Sequence, residues 1–191
     1  QPRSRGLGDV YKRQGAGIGY SSIRVRGSDP SRVNVTINGV PYNDSESMGV
    51  WWVNLPDFAS SIESIQIQRG VGTSTNGSAA FGGSLNIQTN AASDIASFEI
   101  NNTLGSFSTI KNSVGFSTGF INDKFELSGR LSRIKSGGYI DRSGSKLRSY
   151  FLQGVYKDSN TLLKLLNFAG HELTDQAWFG IDASKLESNR K

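Results

Sequence analysis

The sequence predicts a small α+β unit, a mixed sheet with short helices over residues 15–90, followed from residue 98 by a run of antiparallel strands. Three observations predict it. Apolar and polar residues alternate in short segments separated by turn signals. The grammar changes across a small polar stretch, NAASDIAS (90–97), of which residues 91–97 read as a linker. The composition, 36% hydrophobic with 23 glycines, suits many short strands whose two faces differ in polarity.

Each element has its own signal. Residues 1–14, QPRSRGLGDVYKRQ, supply +3 of the net +5 and do not blend into the segment after them. They lack the apolar core of a secretory signal and are expected to be a non-native leader, outside the fold. GAGIGYSS (15–22) is a glycine-rich entry to SIRVRG, a strand with Ile23 and Val25 on one face and Arg24 and Arg26 on the other. SDPSR (28–32) is a turn around Asp29-Pro30. In VNVTINGVPYND, Val33, Val35 and Ile37 alternate with polar residues before Asn38-Gly39, a strong hairpin signal because both residues tolerate positive φ.

SESMGVWWVN (45–54) is a loop bearing Trp51 and Trp52. Leu55, Phe58, Ala59 and Ile62 then fall on one helical face, with Asn54 as cap and Pro56 in the first turn, so a helix is expected here. IESIQIQRG returns to period two, and RGVGTSTNGSAAFGGS (69–84) leads to the closing strand SLNIQT. One helical turn over Thr73–Asn76, closed by Gly77, is expected inside that segment.

After residue 97 one face of each segment is apolar and the other small, polar or charged. Phe125, Leu127 and Leu131 oppose Glu126, Ser128, Arg130 and Ser132; Phe98, Ile100 and Leu104 oppose Glu99, Asn101 and Thr103. Strands of about 10 residues with short and longer breaks alternating suit an outer-membrane barrel. A soluble β-sandwich or other β-rich binding protein gives similar alternation, and both remain open on pattern alone.

Several chemistries are excluded. The chain has no cysteine and one histidine, His171, which removes thiol catalysis, disulfides and Cys- or His-rich metal sites. No lysine lies between Arg69 and Lys111, so residues 69–84 are no Walker A loop, and GAGIG lacks the last glycine of a dinucleotide fingerprint. GFSTG (115–119) matches a nucleophile elbow only literally, because Ser117 falls in a period-two strand rather than a strand–turn–helix. His171-Glu172 is followed by Asp175 where a zincin needs its second histidine. The charge outside the leader is nearly balanced and offers no stripe for nucleic acid. No catalytic residue, cofactor or resident metal is expected, and the chain is read as no enzyme.

Taken together, SIRVRGSDPSRVNVTINGVPYND and IESIQIQRGVGTSTNGSAAFGGSLNIQT resemble the plug domain of TonB-dependent outer-membrane receptors, in the family's order across residues 15–90. The resemblance implies that residues 98–191 are antiparallel strands of an incomplete transmembrane β-barrel, cut from one of about 22 strands that encloses the plug. It implies energised uptake of a scarce solute (a ferric siderophore, haem or cobalamin), with an oligosaccharide as the alternative. It implies a place in the outer membrane of a Gram-negative bacterium and coupling to the TonB-ExbB-ExbD complex through an N-terminal box outside this chain. Arg26 and Arg69 match the family's arginines that latch the plug to glutamates on the barrel wall, a pairing suited to bidentate guanidinium–carboxylate bonds. The apical loops that touch solute in the family correspond to Ser28, Asp29, Tyr42 and Asn43, to which the loop aromatics Trp51 and Trp52 are added as ligand-binding candidates. The segment QRGVGTSTNG departs from the family's glycan-uptake branch and favours a metal chelate or vitamin.

Overall fold

The computed structural model describes residues 9–13, 18, 21–71 and 81–175. Among these residues eleven strands run in chain order: β1 (Asp9–Arg13), β2 (Ser21–Val25), β3 (Val33–Ile37), β4 (Val40–Pro41), β5 (Ile62–Arg69), β6 (Gly83–Thr89), β7 (Ser97–Gly105), β8 (Thr109–Ser117), β9 (Phe125–Ser136), β10 (Ser145–Lys157) and β11 (Leu162–Thr174). They form a β1–β2 ribbon, an inner sheet ordered β4-β3-β6-β5, and an outer sheet ordered β11-β10-β9-β8-β7. β1 draws residues 9–13 of the leader segment into the fold, where they pair antiparallel with β2; the expectation that this stretch stands apart does not hold for them.

The inner sheet is mixed, with β3 and β6 parallel and the β3–β4 and β5–β6 pairs antiparallel. Its centre, β3, is buried along its whole length, so its polar residues bond sideways: the Thr36 hydroxyl donates to Asn86 Oδ1 at 2.8 Å. Asn38 (φ 51°) and Gly39 (φ 81°) make the hairpin turn into β4, as expected of that pair. On β5 a register shift between Ile62 and Ser64 inserts Glu63 as an extra residue. That bulge is why Ile62, Ile65 and Ile67 share one face although the first two stand three apart.

The helix expected over residues 54–62 does not form. Two 3-10 turns, Trp52–Asn54 and Phe58–Ser61, replace it, separated by Asp57 in the left-handed region (φ 57°). A helical φ at residue 57 is necessary to continue the turn; the left-handed kink instead points Asp57 and Phe58 towards the outer sheet. The turn expected over Thr73–Asn76 lies outside the described residues.

The outer sheet is antiparallel throughout, in continuous register from β7 to β11. Its alternation resolves into an inner and an outer face. Glu126, Ser132, Ser136 and Gln153 are buried on the inner face, whereas Phe98, Leu104, Leu127, Leu131, Leu163 and Leu165 are exposed on the other. Leu131 is 64% exposed and Glu126 3%, the reverse of a sandwich, whose apolar faces meet inside.

The core is shared. Val25, Val33, Val35, Ile37, Leu55, Phe58, Leu85 and Ile87 of the inner unit pack with Phe151 of β10, with Leu166 and Phe168 of β11 against them. The inward faces of β10 and β11 meet the inner unit through both kinds of side chain: Phe151, Leu166 and Phe168 join the core, and Lys164 donates to Thr89 of β6.

Candidate functional site

The two sheets meet at a seam built around residues 57–61. Asp57, held by its left-handed backbone at the start of the 58–61 turn, presents both carboxylate oxygens to the outer sheet. Lys111 Nζ of β8 donates to Oδ1 at 2.5 Å, and Arg130 Nη1 of β9 donates to Oδ2 at 2.8 Å. The hydroxyls of Ser132 and Ser60 donate to Oδ2 and Oδ1 at 2.5 and 2.7 Å. Arg130 Nε also donates to Ser61 Oγ at 2.8 Å, and Lys111 to Ser60 Oγ at 2.8 Å. The Asp57 side chain is 8% exposed and that of Arg130 10%, so these are desolvated bonds with their donors and acceptors largely matched. Burial alone raises the Asp57 pKa, but the hydrogen bonds from Lys111, Ser132 and Ser60 and the Arg130 charge outweigh it and hold the carboxyl below its ordinary value.

Phe58, the next residue, makes the apolar half of the seam. Its ring lies 6.1 Å from Phe151 edge-on and 5.1 Å from Phe168. Further along, Lys164 Nζ of β11 donates to Thr89 Oγ1 at 2.8 Å and to the Asn90 carbonyl at 3.1 Å. Thr89 in turn takes a bond from Asn38 Nδ2 at 2.9 Å, so the end of β6 is tied to both the β3–β4 turn and the outer sheet.

The seam was not legible as a site. Asp57 stands alone between Pro56 and Phe58, and its cationic partners are 54 and 73 residues away. The available signal was Lys111 and Arg130 themselves, cations on the inward face of strands, which require a carboxylate.

Arg26 and Arg69 are exposed, and among the described residues neither has an ion-pair partner. Arg26 Nη1 comes within 3.9 Å of the Cβ position of Gly70, the residue after Arg69. The solute candidates have local duties. Ser28 Oγ donates to the Val25 carbonyl at 2.7 Å. Asp29 Oδ1 accepts from the Ser31 amide and hydroxyl at 3.0 and 2.7 Å, which hold its carboxyl below the ordinary range. Asn43 is a clip: its Oδ1 accepts from Val35 N at 2.7 Å, and its Nδ2 donates to the Val33 and Met48 carbonyls. Tyr42 is half-buried, its ring 6.3 Å from Phe168, and burial raises its phenol pKa. Trp52 packs against the core, while Trp51 is 57% exposed. The structure does not gather these six into one pocket wall of free side chains. Ser117 of β8, for its part, donates to Glu126 Oε1 of β9 at 2.9 Å, with no imidazole to activate it. Among the described residues no three His, Cys, Asp or Glu side chains group to hold a metal.

Comparison with known proteins gives this geometry a context. Residues 4–84 match the family model of the TonB-dependent receptor plug domain. No curated protein matches the chain. Among solved structures, the copper transporter OprC superposes with a TM-score of 0.70 at 17% identity, over 89% of this chain and 28% of that one. The ferric citrate transporter FecA gives 0.67 at 17% identity, over 96% and 30%. The ferripyoverdine receptor of the outer membrane of Pseudomonas aeruginosa gives 0.64 at 11% identity, over 82% and 22%. The chain thus spans between about a fifth and a third of the length of the receptors whose fold it shares. Residues 4–84 thus match the plug domain of TonB-dependent receptors, and the chain shares the fold of that part of such receptors.

Proposed function

We propose that this chain is the plug and first wall strands of an outer-membrane receptor that takes up a metal chelate by TonB coupling. The observation that carries the reading is the reversed polarity of the outer sheet, with leucines and phenylalanines exposed on one face and a plug bonded to the polar other. The structural neighbours with this fold are named for ferripyoverdine, ferric citrate and copper, which supports a metal or metal chelate over an oligosaccharide.

The plug then closes the lumen until TonB pulls on it. Arg26 and Arg69 serve as the releasable latch, their exposure and lack of an ion-pair partner among the described residues leaving both guanidiniums available to wall carboxylates. The experiment is a deletion of the complete gene followed by uptake of radioiron from a panel of hydroxamate, catecholate and citrate chelates. Loss of uptake of one class, restored by the gene only in cells with TonB, is expected. Restoration in cells lacking TonB would sink the coupling; unchanged uptake of every chelate would sink the substrate class. For the latch, Arg26→Ala with Arg69→Ala is expected to raise passive entry of large antibiotics, and a receptor that stays tight and transports normally overturns it.

A further inference from the structure

Asn38 and Gly39, the residues between β3 and β4, are one of two Asn-Gly pairs in the chain, the other being Asn76-Gly77. Such a pair carries its own reaction. The Gly39 amide nitrogen can attack Asn38 Cγ, because a glycine has no Cβ to obstruct the approach. A new C–N bond closes a five-membered imide, the bond from Cγ to Nδ2 breaks, and Nδ2 leaves as ammonia with the amide proton. Water then opens the imide. Addition at Cγ leaves aspartate at position 38; addition at the main-chain carbonyl leaves isoaspartate, with the chain running through the side chain. The sequence of steps transfers no electrons and needs no reagent but water.

The fold withholds this reaction. Asn38 (φ 51°) and Gly39 (φ 81°) make a left-handed turn, and the Asn38 side chain reaches across to the end of β6. There its Nδ2 donates to Thr89 Oγ1 at 2.9 Å, and its Oδ1 accepts from Thr89 N at 3.0 Å. The Asn38 amide donates to the Ile87 carbonyl at 2.8 Å. Cγ cannot fold back over the Gly39 amide without giving up both side-chain bonds. Thr89 is itself fixed: it is 2% exposed, and its Oγ1 also accepts from Lys164 Nζ at 2.8 Å and lies 3.4 Å from Gln153 Oε1. The guard on Asn38 therefore draws on the inner sheet and on wall strands β10 and β11 together.

We propose that Asn38-Gly39 is a self-modification site gated by Thr89. Asn38 keeps its amide while the turn is docked on β6 and deamidates when the turn comes away. The two products differ in consequence. Aspartate at 38 retains an oxygen for the Thr89 amide and, with the Thr89 hydroxyl turned to donate, docks again. Isoaspartate adds a main-chain carbon to a two-residue turn and breaks the Ile37–Val40 pairing. In cells the reaction records openings of the plug, a clause that rests on the TonB coupling under Proposed function.

The receptor expressed from the complete gene and purified in detergent is aged in mildly alkaline buffer, folded and in urea, then digested with trypsin. Asn38 falls in peptide 33–69 and Asn76 in peptide 70–111, so mass and chromatography read the two sites separately. Folding is expected to slow conversion at Asn38 about 100-fold, roughly fivefold for each of its three bonds to β6. Thr89→Val removes the acceptor of Nδ2 and is expected to speed conversion of the folded receptor about fivefold. Thr89→Ser keeps the hydroxyl and is expected to hold the wild-type rate, with all three proteins alike in urea. Equal rates folded and unfolded overturn the proposal, and so does equal acceleration by Thr89→Val and Thr89→Ser. Should Thr89→Val not fold, the wild-type comparison decides alone. In growth-arrested cells, more converted Asn38 is expected with TonB than without. Equal conversion while radioiron uptake still needs TonB overturns the opening of this turn in transport; equal conversion with TonB-independent uptake sinks the coupling reading instead.

Discussion

Asp57 shows how one residue can carry a seam. Its carboxylate takes bonds from two cations and two hydroxyls while remaining largely desolvated. Asp57→Asn keeps the shape but removes the charge, leaving Arg130 buried without a counter-charge; breaking a buried pair this way costs about 3 kcal/mol or more. We expect the variant to expose the plug to protease at a lower urea concentration than wild type, and an unchanged midpoint would count against the seam. The pH dependence has a definite sign. The folded pKa of Asp57 is held below the ordinary carboxylate value by its donors. Its stabilisation is therefore complete above about pH 5, relative to an unfolded pKa of about 3.9, and is lost as pH falls through the folded value. Wild type should thus shed plug protection in acid, and Asp57→Asn should lack that part of the acid transition. Residue-level duty was only partly readable in the chain. Asn38-Gly39 announced its turn because the chemistry is local. Asn43 gave no such warning, since its three bonds to Val33, Val35 and Met48 exist only once the loop has folded back on β3.

At the scale of elements, alternation located the strands well, because a side chain's face is set by the next residue but one. It failed at residues 54–62, where apolar spacing at 55, 58, 59 and 62 suited a helix. Of these, Leu55 and Phe58 are buried, and for another reason, while Ala59 is exposed. Leu55 and Phe58 reach the core from two separate 3-10 turns, and the second is aimed at β10 and β11. Tertiary burial there overrode local periodicity. At Gly83 a small residue is required by proximity: a Cβ there would stand 2.7 Å from the Gln68 carbonyl and 3.1 Å from Val25 Cγ1. Phe58 is the testable element contact. Its ring packs against both Phe151 and Phe168, which also stack on each other, so Phe58→Ala leaves a cavity between the plug and wall and is expected to cost about 3–5 kcal/mol. Urea unfolding followed by tryptophan fluorescence checks it. A loss below about 1 kcal/mol, well under the usual cost of emptying an aromatic site, would mean that the seam is only contact and not support.

The whole molecule is decided by which face of the outer sheet is apolar. The sequence showed that β7–β11 have unlike faces but could not say which face meets the plug, because period two is symmetric under exchange of inside and outside. The structure breaks that symmetry with Glu126, Arg130, Ser132 and Gln153 turned to the plug and Phe125, Leu127, Leu131 and Leu152 turned away. The distinction has an energetic consequence that separates a wall in lipid from a sheet in water. Leu152 lies on the outward face, opposite Gly129 and Asn167 and within the apolar band between the Phe125–Tyr156 and Arg133–Arg148 pairs. In a bilayer, Leu152→Arg must place a guanidinium among acyl chains, at a cost of about 2–4 kcal/mol near the midplane. On a water-facing sheet the same change at a 40% exposed position should stay within about 0.5 kcal/mol. Folding of the receptor from the complete gene into phosphatidylcholine vesicles, followed by urea titration, measures the difference. A loss in that range, absent when the same substitution is made at Lys135 beyond the band, places β10 against lipid; a neutral Leu152→Arg would return the strands to water and remove the basis for reading them as a barrel wall.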